Sequence, residues 1–366
     1  MVNPIIKILL LITSGIVSAI FICSFNQKKE NFADQALGEE TSRYVAVKEF
    51  MPIQAVELDS ALFFKIMSTI DSAKGTTLFL GNSQTHSINQ MRSGEMNYIQ
   101  ILSNRLRSNV ICHSIPNANL QEFLLLYNFW KSKVKIVDVV IPVFMDDLRE
   151  EGIRPYFIDY LLKSNYRIQD STSTCMKINS ELIELSKTKV DATGKKEQYM
   201  TLQDKTESKL NQYLSSNSNI WNQRENLRGN IFLLLYQLRN TVFHINASTK
   251  RKMIRGTYNS NLNALSQILL NAHTNNIHTY IYIPPIRHDV DIPYDLDEYA
   301  QFKSKIENLA KEYNSGYRIF EGIVPGKLWG YKASTNSTKQ RELDFMHFKA
   351  EGHQILADSL YNFIKP

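Results

Sequence analysis

The chain predicts an α/β protein, a three-layer α/β/α sandwich built on a parallel sheet. Two observations carry that reading. Short, nearly continuous apolar runs alternate with helix-like stretches of ten or more residues, and the alternation resumes after one long polar interruption. Strands covered on both faces read as unbroken apolar runs, and helices between them make the crossovers that parallel strands need.

The first predicted strand is "TTLFLG", followed by a helix around Gln90 to Arg107. "NVICHS" is the second strand, with the helix "NLQEFLLLYNFWKSK" behind it, and "KIVDVVIPV" is the third. The series resumes with the helix "NSNLNALSQILLNAHTNN", the strand "IHTYIYIPP", the helix "DLDEYAQFKSKIENLAKEYN", the short strand "YRIF" and the terminal helix "KAEGHQILADSLYNFI". Between the third and fourth strands, about residues 154–257 are rich in Lys, Asn, Ser, Thr and Gln, with one apolar segment, "GNIFLLLYQLRNTVFHI". A structureless loop of that length is improbable in a compact domain, so a mostly helical insertion is expected, serving as a lid or a partner surface.

The 366 residues are 43% hydrophobic and 11% aromatic, ample for a packed core. The net charge of +6 is spread among acids rather than gathered into a basic stripe, which argues against a nucleic-acid partner. Three cysteines (Cys23, Cys112, Cys175) without CxxC spacing cannot form a closed disulfide framework. The histidines show no HxH or HExxH spacing, so no metal site is expected.

From Pro4 to Phe25 the chain is apolar apart from Lys7, long enough for a helix to cross a bilayer core. The absence of a small-x-small site before Asn26 favours an uncleaved signal anchor over a cleaved peptide. Residues 1–25 are thus read as the anchor or signal segment, 26–59 as a polar spacer, and 60–366 as the folded domain with its insertion.

In doubly wound sheets ligands bind beyond the carboxyl ends of the strands, and Ser83 in "GNSQT" stands at the end of the first. Taken alone it is a turn residue between strand and helix. A serine becomes a nucleophile only when a base takes its proton, a third group holds the base, and donors await the oxyanion. Near the C-terminus, "ELDFMH" sets Asp344 three residues before His347; on a helix or tight turn that spacing puts both side chains on one face. The bland alternative is Asp344 capping the last helix and His347 satisfied in the core. His86 competes as base but sits on the same short turn as Ser83, and His353 reads as a helix-packing or surface residue. Arg287 is a candidate for holding an anionic substrate group, and Trp329 is either a sugar-stacking wall or core.

"GNSQT" after a first strand and "DFMH" before a last helix together resemble the SGNH (GDSL-like) hydrolase superfamily, whose fold is flavodoxin-like. The resemblance covers about Thr76 to the end without the insertion. It implies Ser83 as nucleophile, His347 as base and Asp344 as its orienting carboxylate, with no cofactor. Two blocks depart from the family pattern. "HSIPNANLQEF" has Asn117 where the oxyanion-hole glycine stands, and "IPVFMDDLREEG" has Asp146 and Asp147 in place of the GxND asparagine. The oxyanion donors are therefore sought in Asn117 or Asn119.

A subset of the superfamily shares these departures: membrane-anchored proteins similar to the D-alanyl transfer protein of lipoteichoic acid and the alginate O-acetylation proteins. That likeness implies a single-pass protein with its catalytic domain outside the cytoplasmic membrane. It would act on an acyl ester of an envelope glycan beside a multispanning O-acyltransferase. The alternative from another class is a non-catalytic module that binds such a membrane partner or a glycan.

Overall fold

The computed structural model describes residues 41–43, 54–192, 235–332 and 341–365. The predicted anchor at Pro4–Phe25 and the third cysteine, Cys23, lie outside them. Among the described residues no helix is long and apolar enough to cross a membrane.

In chain order the elements are β1 (Thr41–Arg43), β2 (Gln54–Ala55), α1 (Ser60–Thr69), β3 (Thr76–Gly81), α2 (Ser83–His86), β4 (Ser87–Asn89), α3 (Tyr98–Ser103), β5 (Asn109–Ser114) and α4 (Leu120–Lys131). They continue as β6 (Ile136–Pro142), α5 (Asp159–Lys163), α6 (Ser173–Ala192), α7 (Arg255–Thr274), β7 (His278–Ile283), α8 (Leu296–Glu312), β8 (Gly316–Ile319), β9 (Trp329–Lys332), β10 (Glu342–Phe348) and α9 (Ala350–Ile364). Six strands form one sheet in the order β2-β5-β3-β6-β7-β8, all parallel. The five predicted strands thus lie second, first, third, fourth, fifth, and β3 sits in the interior with every residue buried.

Strand side chains alternate between two apolar layers, as the pleat requires. Leu78, Leu80, Ile111, Val139, Ile141 and Ile281 face the layer that α1, α4, α7 and α8 cover. Phe79, Val110, Cys112, Val140 and Tyr282 face the other, covered by α3 and α9. Each fully buried side chain of this kind contributes roughly 1.5–3 kcal/mol, and the two-sided cover explains why these strands read as continuous apolar runs. Cys112 and Cys175 are both buried free thiols.

Two sequence expectations need correction. The helix predicted over Gln90 to Arg107 is confined to Tyr98–Ser103, because Asn97 caps its start with a Gln100 capping box while Gly94, at φ 84°, breaks the chain before it. Ordered structure does not wait for Ser60: β1 pairs antiparallel with β4, and β2 joins the edge of the main sheet beside β5. The expected helical insertion is helical at α5 and α6, and over residues 235–242, with residues 193–234 outside the description. Of the described residues, β1 to α6 and α7 to α9 form one compact unit, and residues 235–246 fall outside it.

Candidate active site

Ser83 is the first residue of α2, one position beyond the Asn82 cap whose side chain accepts from Gln84 N at 3.2 Å. The turn out of β3 is tight enough to need Gly81, since a Cβ there would stand 2.3 Å from Thr85 Oγ1. Gln84 then anchors α2 across the site: its Nε2 donates to Pro285 O at 2.9 Å and to Met346 O at 2.7 Å.

Asp344 and His347 meet, although not on a helix. Both lie in β10, whose pairing with β9 shifts register between Leu343 and Phe348. There the chain curls around the carboxylate: Asp344 Oδ1 accepts from the backbone N–H of Met346 at 2.9 Å and of His347 at 3.0 Å. This side-chain-capped turn is the tight-turn form that the three-residue spacing allowed. His347 Nδ1 lies 2.9 Å from Asp344 Oδ2, and His347 Nε2 lies 3.0 Å from Ser83 Oγ. With carboxylate oxygens as acceptors, the network assigns the proton to Nδ1, and the Ser83 hydroxyl donates to Nε2. Burial works against the charge on Asp344, but the facing imidazole and these hydrogen bonds outweigh it and hold the carboxyl below its ordinary value.

A further donor on Asp344 comes from a residue the sequence did not single out. Asn89, fully buried on β4, donates from Nδ2 to Asp344 Oδ2 at 3.1 Å and to Tyr331 O at 3.0 Å. Its amide fits only because position 330 is glycine, where a Cβ would stand 1.9 Å from Asn89 Cγ.

The second predicted block follows β5. Ile115 N donates to Gly81 O at 2.9 Å, holding the exit of β5 against the exit of β3. Ala118 N returns to Ile115 O at 3.1 Å, with Asn117 at φ 51°: Pro116 and Asn117 occupy the central positions of a type II turn. Asn117 is therefore placed where a glycine would be at ease, as the family pattern has it. The backbone N–H groups of Ser83 and Asn117 donate to no described residue.

Two other sequence candidates are committed elsewhere. Asn119 caps α4: its Oδ1 accepts from Glu122 N at 2.9 Å and its Nδ2 donates to Gly152 O at 2.8 Å, so its side chain is spent on structure rather than offered to an oxyanion. Arg287 is 7% exposed and bound through Nε and Nη2 to Asp289 at 2.9 and 3.1 Å, with Nη1 on Gly330 O at 3.1 Å. Its cation supports β9 instead of facing a substrate. Trp329 is core, its indole packed edge-on to Phe348 and its Nε1 donating to Val324 O. His86 turns to Ser114 Oγ at 2.9 Å, away from the base position. His353 is wholly buried, accepting from Tyr98 N and bonded to Ser87 O, and burial pulls its pKa down to about 3.

The aspartates of the third block separate. Asp146 binds Arg149, Arg251 and the Tyr294 hydroxyl. Asp147 is buried beside the Asn82–Ser83 turn, accepting from Phe144 N at 2.9 Å and Asn82 Nδ2 at 3.3 Å. Burial pushes its carboxyl well above the ordinary range. A shift in this direction weakens the repulsion of an oxyanion that a fully ionised carboxylate would exert.

No family model matches the chain, and no curated protein matches it in sequence. Among solved structures it is similar to an acetylxylan esterase from Geobacillus stearothermophilus, at 12% identity and TM-score 0.35, covering 81% of this chain and 96% of that one. It is similar to a GDSL-like lipase from Bacteroides thetaiotaomicron at 10% identity and TM-score 0.38, covering 83% and 96%. A psychrotrophic esterase from Pseudoalteromonas matches at 10% and 0.36, covering 80% and 97%. Likeness of this size carries no weight for substrate or activity, which rest on the site itself.

Proposed function

We propose that the chain is a serine acyl-transfer enzyme of the SGNH type, an esterase or O-acyltransferase. The observation that carries the reading is the unbroken hydrogen-bond chain from Ser83 Oγ through His347 to Asp344. In that mechanism Ser83 Oγ attacks the carbonyl carbon of an ester while His347 Nε2 takes its proton, and Asp344 stabilises the imidazolium that forms. The tetrahedral oxyanion accepts from the N–H groups of Ser83 and Asn117. Its collapse breaks the bond to the leaving alkoxide, which takes the proton from His347 and leaves an acyl-serine. Water, or a glycan hydroxyl where water is excluded, then attacks with His347 again as base.

The apolar run Pro4–Phe25 supports a single-pass anchor holding this domain at a membrane, on its extracytoplasmic side by analogy with the resembling proteins. On that placement the substrate is an O-acyl ester of a cell-envelope glycan, and a multispanning O-acyltransferase is the expected partner. A non-catalytic binding module is the second reading. One observation favours it: Asp147 stands in the block where the family has its donor asparagine.

A fluorophosphonate probe separates the two. Wild type is expected to label and Ser83→Ala not to label. Equal labelling of both, or of neither, removes the catalytic reading.

A further inference from the structure

Position 117 takes the left-handed turn without glycine, and something outside the turn holds it there. Arg154, the first residue of the insertion, reaches back to this turn with its whole guanidinium. Nη1 donates to Pro116 O at 2.6 Å and Nη2 to Asn117 O at 3.0 Å. The same group forks onto Glu122, Nε to Oε1 at 2.9 Å and Nη2 to Oε2 at 2.6 Å, and Arg154 N adds a bond to Oε1 at 3.1 Å. Glu122 is 1% exposed in its side chain and Arg154 35%. Glu122 also accepts from Asn119 N at 3.3 Å, so it belongs to the same loop and helix start.

A trans peptide is planar, with its C=O and N–H pointing in opposite directions. Fixing the Pro116 carbonyl therefore fixes the direction of the Asn117 N–H, which lies in the same plane. Fixing the Asn117 carbonyl does the same for the Ala118 N–H, which is spent on Ile115 O. Both peptide planes flanking Asn117 are set by one side chain, and the guanidinium polarises the very peptide whose N–H is left to donate. We infer that Arg154, braced by Glu122, is a positioning residue for the oxyanion donor at Asn117, and that the segment leading into α5 is built into the site through it. The inference rests on the acyl-transfer reading.

The planar fork matters. A lysine is a point charge that cannot span two carbonyls and a carboxylate at once. Glu122, buried with this guanidinium as its ion partner, fixes where the fork sits.

The test uses the full-length protein and 4-nitrophenyl acetate as probe ester, with Ser83→Ala as reference. Arg154→Ala is expected to lower kcat on the order of 10²-fold, the cost of a lost oxyanion donor, with KM within about twofold. Its pH-rate profile keeps the wild-type position because the triad is untouched. Millimolar guanidinium restores at least about tenfold of the lost rate, and equal sodium chloride does not, since only the planar cation refills the fork. Arg154→Lys, which keeps charge and bulk should the alanine variant unfold, falls similarly in kcat; Glu122→Gln falls less. A kcat for Arg154→Ala or Arg154→Lys within about threefold of wild type overturns the inference, as does a loss confined to KM or one that guanidinium leaves unchanged. If Ser83→Ala keeps wild-type hydrolysis, the acyl-transfer reading falls first and takes this inference with it.

Discussion

The two halves of the candidate site are held in opposite ways. On β10 the geometry is made by side chains: Asp344 and His347 bond to each other, and the backbone merely curls to let them. In the loop after β5 the offered group is a backbone N–H, and the side chains that hold it, Arg154 and Glu122, belong to the insertion and to α4. Side-chain chemistry leaves a spelling in the sequence. Backbone chemistry leaves only a preference for a conformation, which Asn117 meets almost as well as glycine.

The contrast breaks first at the triad. Asp344→Asn keeps the volume but offers the imidazole the wrong partner, so the tautomer with Nε2 free is lost; kcat on 4-nitrophenyl acetate is expected to fall on the order of 10⁴-fold with the fold intact by circular dichroism. A loss of less than about tenfold means that Asp344 does not orient the base.

The loop half responds to conformation rather than to side-chain chemistry. Asn117→Gly is expected to retain kcat within about threefold, whereas Asn117→Val, β-branched at φ 51°, should lose on the order of 10²-fold. If both variants lose equally, the Asn117 side chain and not its N–H is the working group.

A smaller effect distinguishes Asp147 from the working residues. Its folded pKa lies above the ordinary 3.8, so the folded state holds its proton to higher pH than the unfolded chain does. Stability contributed by this group is complete below 3.8 and is lost as pH climbs towards the raised value. Asp147→Asn should flatten that part of the Tm-against-pH curve and leave kcat within about threefold. An unchanged curve means the carboxyl is ionised in the fold.

The smallest expected effect is at Asn119, where alanine removes a helix cap. It should cost about 1 kcal/mol in denaturant unfolding while each folded molecule keeps its kcat. Loss of kcat without loss of stability would return Asn119 to the oxyanion hole.

Five of the six strands of the main sheet were legible, the four inner ones because burial on both faces writes continuous apolar runs, and the Ser83, Asp344, His347 set because a hydrogen-bond chain of that kind needs particular side chains. Asn119 and Arg287 misled for one shared reason. An amide and a guanidinium near a strand end look available in sequence, and only the structure shows which carbonyls and carboxylates have already taken them. Asn89 and Arg154 were invisible because each acts on a group more than thirty residues away in the chain, with no motif connecting the ends. The extent of α3 was misjudged because caps, not periodicity, decide where a helix starts.

Strand β1 has a practical consequence for handling the protein. Its three residues pair with β4, the strand that ends in Asn89. A shortened chain begun at Ser60, the obvious place to cut by composition, would strip the neighbour from that strand and the two-residue edge β2 from the main sheet. Soluble versions made for assay should start ahead of Thr41, so that a weak activity reflects the chemistry and not the scissors.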